Sequence, residues 1–567
     1  MKDGYEAQHE KWRAQAAAIE RSRPARPWMT HTHGGIPVEQ GYGPEDAPVG
    51  EDEVLTRLGL PGSPPFTRSV YPTGFRNVTW QTQQVVGFGT AEETRERLEY
   101  LLQAGQSGFH GSVLNVVFDQ PTLNGYDSDD PAASGQVGRG GVALDSIKDM
   151  RDLIEPFDPR HTSLSIVATG MSPILVAYYA EACRSGGVPL TDLAGVSLND
   201  PLTAYYGAQT YLFPPRPSLR LATDLVAYCS TEMPSWNTLG ICGYHAREAG
   251  ATAAMELGFT IACGIAYIEA ARDRGLDPNV FAARLSFFLE VNNDFFEEVA
   301  KLRAFRRVWA TELQRRFEIT EPKALAMRCH VQTAGSSCTA QEPENNIVRT
   351  TVQALAAVLG GTNSLHTNSM DEALSIPSEK GARIALRTQQ ILELESGVGR
   401  VADPLGGSYF VEALTDAVER EGRKFLEAVE AFGPTMQEAV FAALDAGYFH
   451  RAIREQSWQD HMAFESGERP VVAVNVFRSD EVPDIELFED DPALEQKQLE
   501  RLRAWREARD PSAVSASLEN IRRVAVSEEN LFPHFMSAAS AGVTVGEIVT
   551  ELRSHWGSYA QPPPFAG

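Results

Sequence analysis

The stretch TLGICGYHAREAGATAAMELGFTIACGIAYIEAARDRG, residues 238–275, decides the fold class. Its first part, residues 238–245, is a short apolar run that ends in polar residues, which is typical of a buried strand. Its second part, residues 251–275, is long and apolar, and we interpret it as a helix. A buried strand followed by a helix is the repeating unit of a parallel sheet, so this stretch predicts an α/β protein.

The same alternation continues on both sides of this stretch. Five further runs have the strand pattern: SLSIVATG (163–170), LAGVSLND (193–200), RLSFFLEV (284–291), ALAMRCHV (324–331) and GGTNSLHT (360–367). With roughly eight such units in about 350 residues, the pattern predicts a (β/α)₈ TIM barrel, and a doubly wound open sheet is the alternative. No G-x-G-x-x-G follows a strand near the start, which argues against a dinucleotide-binding fold.

Two flanking regions complete the predicted domain organisation. Residues 1–60 are polar and rich in Pro and Gly, so we expect an extended N-terminal segment that wraps over the body or contacts another subunit. Residues 61–415 would form the barrel, and residues 416–567 a helical C-terminal region. A helix predicted over residues 411–433, which crosses this boundary, has apolar residues on one face, namely Val411, Leu414, Val418, Phe425 and Val429. A charged, solvated helix is expected over residues 492–509.

Composition excludes several classes of function. The 76 Asp and Glu residues exceed the 50 Lys and Arg residues, giving a net charge of −26, so a nucleic-acid partner is not expected. No run of about 18 consecutive apolar residues occurs, so no membrane span is expected, and no apolar stretch typical of a secretory signal is seen in the first 24 residues. Six cysteines without a C-x-x-C pair favour a reducing cytoplasm. His31 and His33 have no third ligand nearby, so we predict no metal site.

Polar residues follow several of the predicted strands. Because the carboxyl ends of barrel strands meet at one mouth, these residues are candidates for an active site. They are Asn199, Asp200, Tyr244, His245, Ser286, His330, Gln332, His366, Asn368 and Glu372. Each single residue has a structural alternative, since a histidine at a strand end often only satisfies local hydrogen bonds. The residues alone therefore predict a barrel-based enzyme of unknown reaction.

Several longer strings resemble one known family. They are YPTGFRNVTWQTQQVVGFGT (71–90), GYDSDDP (125–131), VGRGGVALDS (137–146), GYHAREAGAT (243–252), RLSFF (284–288), HVQTAG (330–335), GGTNSLHTNSMDEA (360–373) and ADPLGGSYFVEALT (402–415). In this order they resemble the large subunit of cobalamin-dependent acyl-CoA mutases, a family that includes methylmalonyl-CoA, isobutyryl-CoA and 2-hydroxyisobutyryl-CoA mutases. The resemblance extends from about residue 55 to the C-terminus.

This resemblance implies an isomerase in which adenosylcobalamin caps the barrel mouth and radical chemistry rearranges the carbon skeleton of an acyl thioester. In the family a D-x-H-x-x-G motif holds the cobalamin. None of the twelve histidines here has Asp two positions before it, so the motif is absent. The resemblance therefore implies a separate small cobalamin-binding subunit, with a homodimer of large subunits inside a heterotetramer.

The resemblance also assigns roles to individual positions. His245 and Tyr244 match the residues beside the migrating thioester carbonyl. The positions matching contacts to the deoxyadenosyl group are Gly87, Gly140, Asn368 and Glu372, and those facing the corrin ring are Phe118, Glu248, Gly335 and Ala373. The positions matching acyl-CoA contacts are Tyr71, Thr73, Arg284, Ser286 and Gln332, and we assign His330 to the same substrate site.

Three departures from the family concern the acyl group. Val85 stands where methylmalonyl enzymes have Tyr, Leu198 where they have Gln, and Ala208 where they have a carboxylate-binding Arg. A buried carboxylate without that Arg would be unpaired, at a cost of several kcal/mol. We therefore expect an apolar, branched or longer acyl group. The alternative is that these three residues only repack the core.

A second group of departures concerns the carrier of the acyl group. Two family arginines near the CoA phosphates correspond to Val78 and Gln83, and a threonine corresponds to Gln81. Arg76 lies nearby and is the candidate substitute. Acyl-CoA stays the expected substrate, with a thioester on a carrier protein as the alternative. A non-catalytic paralogue that stabilises an active mutase is the second functional hypothesis.

Overall fold

The computed structural model of the chain describes residues 2–47, 50–106, 112–478, 484–489 and 491–561. Its strands are β1 (Gln81–Thr82), β2 (Val85–Val86), β3 (Ser112–Val117), β4 (Thr162–Val167), β5 (Gly195–Ser197), β6 (Trp236–Asn237), β7 (Leu239–Cys242), β8 (Leu285–Val291), β9 (Cys329–Thr333) and β10 (Ser364–His366). Most are short runs of apolar and small residues, as expected for strands buried on both faces.

The strands form two parallel sheets of five strands each. One sheet has the order β2-β3-β4-β5-β6, and the other has the order β1-β10-β9-β8-β7. Two residues separate β1 from β2, and Thr238 alone separates β6 from β7. The predicted parallel α/β class is confirmed.

Helices alternate with the strands and continue to the C-terminus. The longer helices are Lys2–Ser22, Ala91–Gln103, Ile147–Ile154, Ser172–Ser185, Pro215–Glu232, Ala253–Asp273, Phe295–Phe317, Asn345–Leu359, Glu379–Leu394, Tyr409–Glu430, Met436–Asp445, Tyr448–Ser466, Leu494–Ala508, Pro511–Ala525, Phe532–Ser540 and Val545–Trp556. In the described part of the chain, Ala253–Asp273 has the length and apolar composition of a membrane span, yet 94% of its apolar window is buried inside the protein. It is a core helix between β7 and β8, as its sequence predicts.

Most of the predicted strands overlap the runs that predicted them. One strand begins later in its run than expected. In ALAMRCHV the first residues belong to a short helix, Pro322–Leu325, and β9 starts only at Cys329. Pro322 occupies the first turn of that helix and the Glu321 side chain caps it, so local helix signals outweigh the apolar pattern there. The strand β3 was not among the predicted runs.

The C-terminal helices pack directly on the body of the protein. A Cβ atom on Gly258 would lie 2.5 Å from the carbonyl oxygen of Gly422, so glycine lets Ala253–Asp273 and Tyr409–Glu430 approach closely. Because Tyr409–Glu430 is one continuous helix, the predicted boundary at residue 415 lies inside it. Residues 562–567 of the predicted helical region lie outside the described residues.

The N-terminal segment is not extended throughout, which corrects the prediction. Lys2–Ser22 is a helix, because Ala, Glu, Gln, Lys and Arg dominate it and Pro first occurs at residue 24. Further along, the backbone N–H of Gly34 donates to both carboxylate oxygens of Glu297, at 3.1 and 3.2 Å, and the hydroxyl of Thr32 donates to the same carboxylate. Residues around 33 are therefore attached to the body; their predicted role in a subunit contact stays a prediction.

Candidate active site

An internal cavity of about 370 Å³ runs between the strands. Each of the ten strands given above contributes at least one lining residue. Many of these side chains are small and polar, such as Ser163, Ser165, Ser286 and Ser364, and they leave a narrow space for an extended ligand. We call this space the interior cavity.

The interior cavity meets a smaller cavity at the carboxyl ends of the strands and a larger one at their amino ends. Val85 lines both the interior cavity and the smaller cavity of about 140 Å³, which we call the mouth cavity. Tyr71 and Arg328 line both the interior cavity and the larger one of about 590 Å³, which we call the entrance cavity. Together the three cavities follow one another along the strands, and we call this series the passage.

The predicted substrate residues divide between these cavities. Those lining the interior cavity are Tyr71, Val85, Leu198, Ser286 and His330, and the departure positions Val78, Gln81 and Gln83 line it as well. Arg284 lines the entrance cavity, and Gln332 lines the mouth cavity. Thr73, Arg76 and Ala208 are not among the residues that line these three cavities. The structure thus places most of the predicted set at these cavities and these three elsewhere, and their predicted role in substrate binding stays a prediction.

Side chains from three strand ends converge beside the mouth cavity. The Gln332 amide donates to the Tyr244 hydroxyl at 2.8 Å and lies 3.5 Å from the amide oxygen of Asn368. Asn368 is fixed in turn, because its Nδ2 donates to the backbone carbonyl of Thr333 at 2.9 Å. The Tyr244 ring stacks on Phe288 with centroids 4.9 Å apart. These side chains come together because the parallel strands that carry them end at the same edge of the sheet.

His245 is a neutral hydrogen-bonding group in this arrangement. Burial lowers the pKa of its imidazole to about 4, and burial raises the pKa of the neighbouring Cys242 thiol well above its usual value. The Cys242 sulfur lies 3.3 Å from His245 Nδ1. A thiol proton donated to Nδ1 leaves the ring proton on Nε2, so His245 can donate a hydrogen bond through Nε2 without carrying a charge.

Two further histidines at the site are neutral as well. Burial lowers the pKa of His330 to about 3 and that of His366 to about 4. His366 Nδ1 accepts the backbone N–H of Val85 at 2.9 Å. His330 Nδ1 lies 2.8 Å from the Ser364 hydroxyl, while its buried Nε2 has no hydrogen-bond partner among the described residues. A buried polar atom without a partner is costly, so His330 Nε2 fits a ligand atom inside the interior cavity.

The predicted deoxyadenosyl contacts surround the mouth cavity. Gly87, Gly140 and Glu372 line it. A Cβ atom at Gly87 would lie 2.0 Å from the Val117 carbonyl, and Gly140 has a φ of +64°, so glycine is required at both places. Burial, with the Glu248 charge as a second cause, raises the pKa of Glu372 to about 7.

The predicted corrin-facing residues lie partly at this surface. The Glu248 carboxylate accepts the backbone N–H of Ser336 at 3.0 Å, and a Cβ atom on Gly335 would lie 3.2 Å from the same carboxylate. Ala373 is exposed. Phe118 is only 1% exposed, so its side chain belongs to the core and does not face an open surface. Within the described residues, no group of three or more His, Cys, Asp or Glu is placed to hold a metal ion.

Sequence reasoning missed three residues that shape the site. Cys242 lies three positions before His245 in a tight turn, a spacing that suggests side-chain contact. Phe288 is the second aromatic residue of RLSFF, and it lines the interior cavity while stacking on Tyr244. Arg328 precedes β9 by one residue and connects two cavities. The sequence pattern alone does not predict what Phe288 and Arg328 contact, because their contacts depend on the register between neighbouring strands.

Cavities along parallel strands, with neutral polar side chains at the carboxyl ends of those strands, are typical of α/β enzymes. The sequence profile of the family described as methylmalonyl-CoA mutase matches residues 31–558. The chain belongs to this family, whose members are isomerases of the intramolecular transferase class, and the predicted family resemblance is confirmed.

Known relatives cover nearly the whole chain. The large subunit of 2-hydroxyisobutanoyl-CoA mutase from Aquincola tertiaricarbonis is 39% identical, over 100% of this chain and 99% of that protein. The methylmalonyl-CoA mutase large subunit of Streptomyces virginiae is 41% identical, over 97% of this chain and 74% of that protein. Methylmalonyl-CoA mutase of Escherichia coli (strain K12) is 40% identical, over 89% of this chain and 69% of that protein. The family implies a cobalamin cofactor.

Proposed function

We propose that this chain is the large subunit of an adenosylcobalamin-dependent mutase that rearranges the carbon skeleton of an apolar acyl thioester. The observation that carries the proposal is the passage: Gln332 lines its mouth end, and the Gln332 amide contacts Tyr244 and Asn368. An acyl thioester that enters lengthwise would bring its carbonyl to this group. The family membership supplies the class of reaction.

We also propose that the two sheets close into a (β/α)₈ barrel. Two interruptions separate them: Gln83 and Gln84 between β1 and β2, and Thr238 between β6 and β7. The Gln83 backbone N–H donates to the Leu365 carbonyl at 2.9 Å, which continues the β1–β10 pairing toward β2. All ten strands line one cavity, as expected for a closed ring of eight strands with two interruptions.

The mouth fits a cofactor that carries a nucleoside. Adenosylcobalamin supplies homolytic bond cleavage, which starts the rearrangement. Glu372 lines the mouth cavity, and Asn368, fixed by Thr333, lies beside it; both residue types bind ribose hydroxyls. Glu248 and Gly335 would contact the corrin ring at the rim. Because the chain lacks the D-x-H-x-x-G motif, we place most of the cobalamin contacts on a partner subunit.

His245 would hold the thioester carbonyl through Nε2–H. A neutral donor suits this role, because it stabilises partial charge on the carbonyl oxygen without protonating it. Tyr244 would form the wall of the same pocket, with its ring held by Phe288 and its hydroxyl by Gln332. The residues would thus position the substrate and exclude water from reactive intermediates.

The interior cavity favours an apolar acyl group. Val85 and Leu198 line it, and the cation among its lining residues is Arg328, at the entrance end. A substrate carboxylate held in the interior cavity beside Val85 would be buried away from Arg328, at a cost of several kcal/mol. Arg97 lines the mouth cavity instead, where its guanidinium donates to the Pro377 carbonyl. A branched acyl group would instead bury apolar surface against these side chains.

The partners follow from the relatives. Two relatives are called large subunits, which supports a small cobalamin-binding partner here. We propose that two large subunits pair within a heterotetramer in the cytoplasm.

Reconstitution tests this proposal. The chain is combined with a small cobalamin-binding subunit and adenosylcobalamin, and then offered a panel of acyl-CoA thioesters. Isomerised branched or longer apolar products, detected by mass spectrometry and lost with His245→Ala, are the expected result. Preferred turnover of methylmalonyl-CoA would refute the assigned acyl group.

A non-catalytic paralogue is the second candidate, and one observation favours it. Val78 and Gln83, which replace family arginines, line the interior cavity and leave it without those charges. Tight assembly with the small subunit but no turnover of any thioester would support this candidate over an active mutase.

A further inference from the structure

A cluster of buried charged side chains lies beside the segment that carries His245. This segment comprises residues 243–251, and we call it the mouth turn. The cluster consists of Arg247 from the mouth turn, Glu256 from the helix Ala253–Asp273, Glu290 from β8, and Glu298 and Lys301 from the helix Phe295–Phe317. All five side chains are at most 8% exposed. Because charges are rarely buried unless they are paired, specific pairs have to hold this cluster together.

Arg247 connects the mouth turn to the cluster at several points. Its Nη2 donates to Glu298 Oε1 at 2.5 Å, and its Nη1 donates to the Ala251 carbonyl at 2.7 Å. Its Nε lies 3.8 Å from the Glu256 carboxylate and 3.9 Å from the Glu290 carboxylate. The planar guanidinium thus joins the end of the mouth turn at Ala251 to Glu298.

Lys301 is the second cation of the cluster. Its Nζ lies 2.5 Å from the Glu298 carboxylate and 2.6 Å from the Glu256 carboxylate, and it donates to the backbone carbonyl of Glu290. Glu256 and Glu298 therefore lie beside both cations of the cluster. If Arg247 were replaced by a neutral residue, Lys301 would be the one cation of the cluster left for these carboxylates, and breaking such a buried pair is strongly destabilising.

The mouth turn depends on contacts outside itself for its position. Its helix, Tyr244–Glu248, has five residues, and a helix that short is not stable without packing. A Cβ atom on Gly243 would lie 2.6 Å from Glu256 Cγ, so glycine lets the start of the turn rest on the cluster. Arg247 holds its end at Ala251. The cluster therefore supports the mouth turn at both ends.

The residues on either side of Arg247 belong to the candidate active site. His245 Nδ1 lies 3.3 Å from the Cys242 sulfur, and the Glu248 carboxylate accepts the backbone N–H of Ser336 at 3.0 Å. Both side chains are carried by the same short helix as Arg247. A displacement of that helix would therefore move both of them.

We propose that Arg247 is a positioning residue, which fixes the mouth turn so that His245 Nε2 faces the thioester carbonyl and Glu248 stays at the rim. Arg247 acts through the turn and does not touch the substrate. Its charge balances the cluster, while its planar fork of donors holds Glu298 and Ala251 at the same time. This inference rests on the proposed function, from which His245 and Glu248 take their roles.

Kinetics of the reconstituted enzyme test the role in the reaction. Arg247→Met is expected to lower kcat roughly 10- to 100-fold, because a shift of the turn by about 1 Å misplaces His245. The KM for the acyl thioester should change less than about threefold, since the turn would contact only the reacting end of the substrate. Arg247→Lys keeps the charge but not the fork, and it should recover part of the lost kcat.

Hydrogen–deuterium exchange of the full chain tests the anchor without any turnover. The amides of residues 244–251 should exchange roughly 10-fold faster in Arg247→Met, because the turn opens more often once its anchor is lost. Arg303→Met is the matched control, since Arg303 is equally buried and its partners Asp403 and Glu412, each at 2.6 Å, lie outside the mouth turn. This control should leave both kcat and the exchange of the turn unchanged.

A double variant keeps the test valid if Arg247→Met fails to fold. Arg247→Met combined with Glu298→Gln removes one charge of each sign, so the cluster stays balanced while the anchor is lost. Its kcat should be as low as that of the single variant. Native kcat in the double variant, or an equal loss of kcat in Arg303→Met, would overturn the proposal. Faster exchange throughout the chain, instead of in the mouth turn, would overturn it as well.

The outcome can be separated from that of the proposed function. Turnover by the native enzyme with an unchanged kcat in Arg247→Met would sink this inference alone. If the native chain turned over no thioester, but faster exchange in Arg247→Met were confined to the mouth turn, the anchor would be supported and the active mutase would not.

Discussion

The two ends of the passage differ in charge. At the mouth, burial keeps His245 and His366 neutral and raises the pKa of Glu372 to about 7. At the entrance, Arg284 and Arg328 line a cavity that has no Asp or Glu among its described lining residues. Arg97 lines the mouth as well, but its guanidinium donates to the Pro377 carbonyl. Under the proposed function the two ends divide the work, because the mouth would hold the reacting groups and the entrance the part of the thioester that stays unchanged. The following predictions test that division.

The largest effect is expected at the mouth. His245→Ala should lower kcat about 10²- to 10³-fold in the reconstituted enzyme, because a preorganised donor to the thioester carbonyl is lost. The dissociation constant of CoA should stay unchanged, because the entrance is untouched. Steady-state kinetics and calorimetry on the same variant measure the two quantities. A parallel loss of CoA affinity would mean that the two ends do not act separately.

Val85→Phe tests the role of Val85, which lies where the mouth and interior cavities meet. The larger ring would fill space that the acyl group needs, so kcat/KM for branched acyl thioesters should fall roughly 10-fold relative to the shortest one accepted. Val85→Ile, which adds one methylene, is the matched control and should cause a smaller change in the same direction. An unchanged ranking of substrates would show that Val85 only fills the core.

Glu372→Gln tests whether the Glu372 carboxyl at the mouth is protonated in the folded chain. The quantity that tests it is the free energy of unfolding. The folded-state pKa of about 7 lies above the ordinary value of 4.5, so folding favours the protonated acid and the native chain loses stability as pH rises from about 4.5 to 7. Glutamine avoids that loss, so the variant should be about 1–3 kcal/mol more stable at pH 8, with little difference at pH 5. Denaturant unfolding at both pH values measures this.

The exposed Glu395→Gln is the control for that experiment and should show no such pH-dependent gain. If Glu372→Gln were less stable than the native chain at pH 8, the carboxylate would be ionised and paired in the folded state.

The smallest effect is expected from Cys242→Ala. The variant removes the thiol next to His245 Nδ1, which frees the imidazole to exchange tautomers, and kcat should fall roughly two- to fivefold because S–H is a weak donor. Cys183→Ala, a buried cysteine elsewhere in the core, should leave kcat unchanged. A loss as large as that of His245→Ala would assign the thiol a direct part in the reaction.

The mouth was easier to predict from sequence than the entrance, for a physical reason. Its residues lie at or just after the carboxyl ends of strands, as Tyr244, Gln332 and Asn368 do. Because parallel strands bring these ends together, the order of strands along the sequence is enough to predict that the residues meet. Arg284 and Arg328 line one cavity because β8 and β9, which they precede, are paired, and periodicity does not specify that pairing. The helix Lys2–Ser22 was missed because the Pro and Gly residues after it dominated the composition of the segment.

The attachment of residues 32–34 to Glu297 has a consequence for how the protein can be shortened. Glu297 is fully buried, burial raises its pKa to about 7, and the Thr32 hydroxyl and the Gly34 N–H donate to its carboxylate. A chain trimmed to begin at residue 61 would leave that carboxylate without these donors at the start of Phe295–Phe317. The N-terminal segment is thus part of the folding unit, and a minimal version of this enzyme has to retain it.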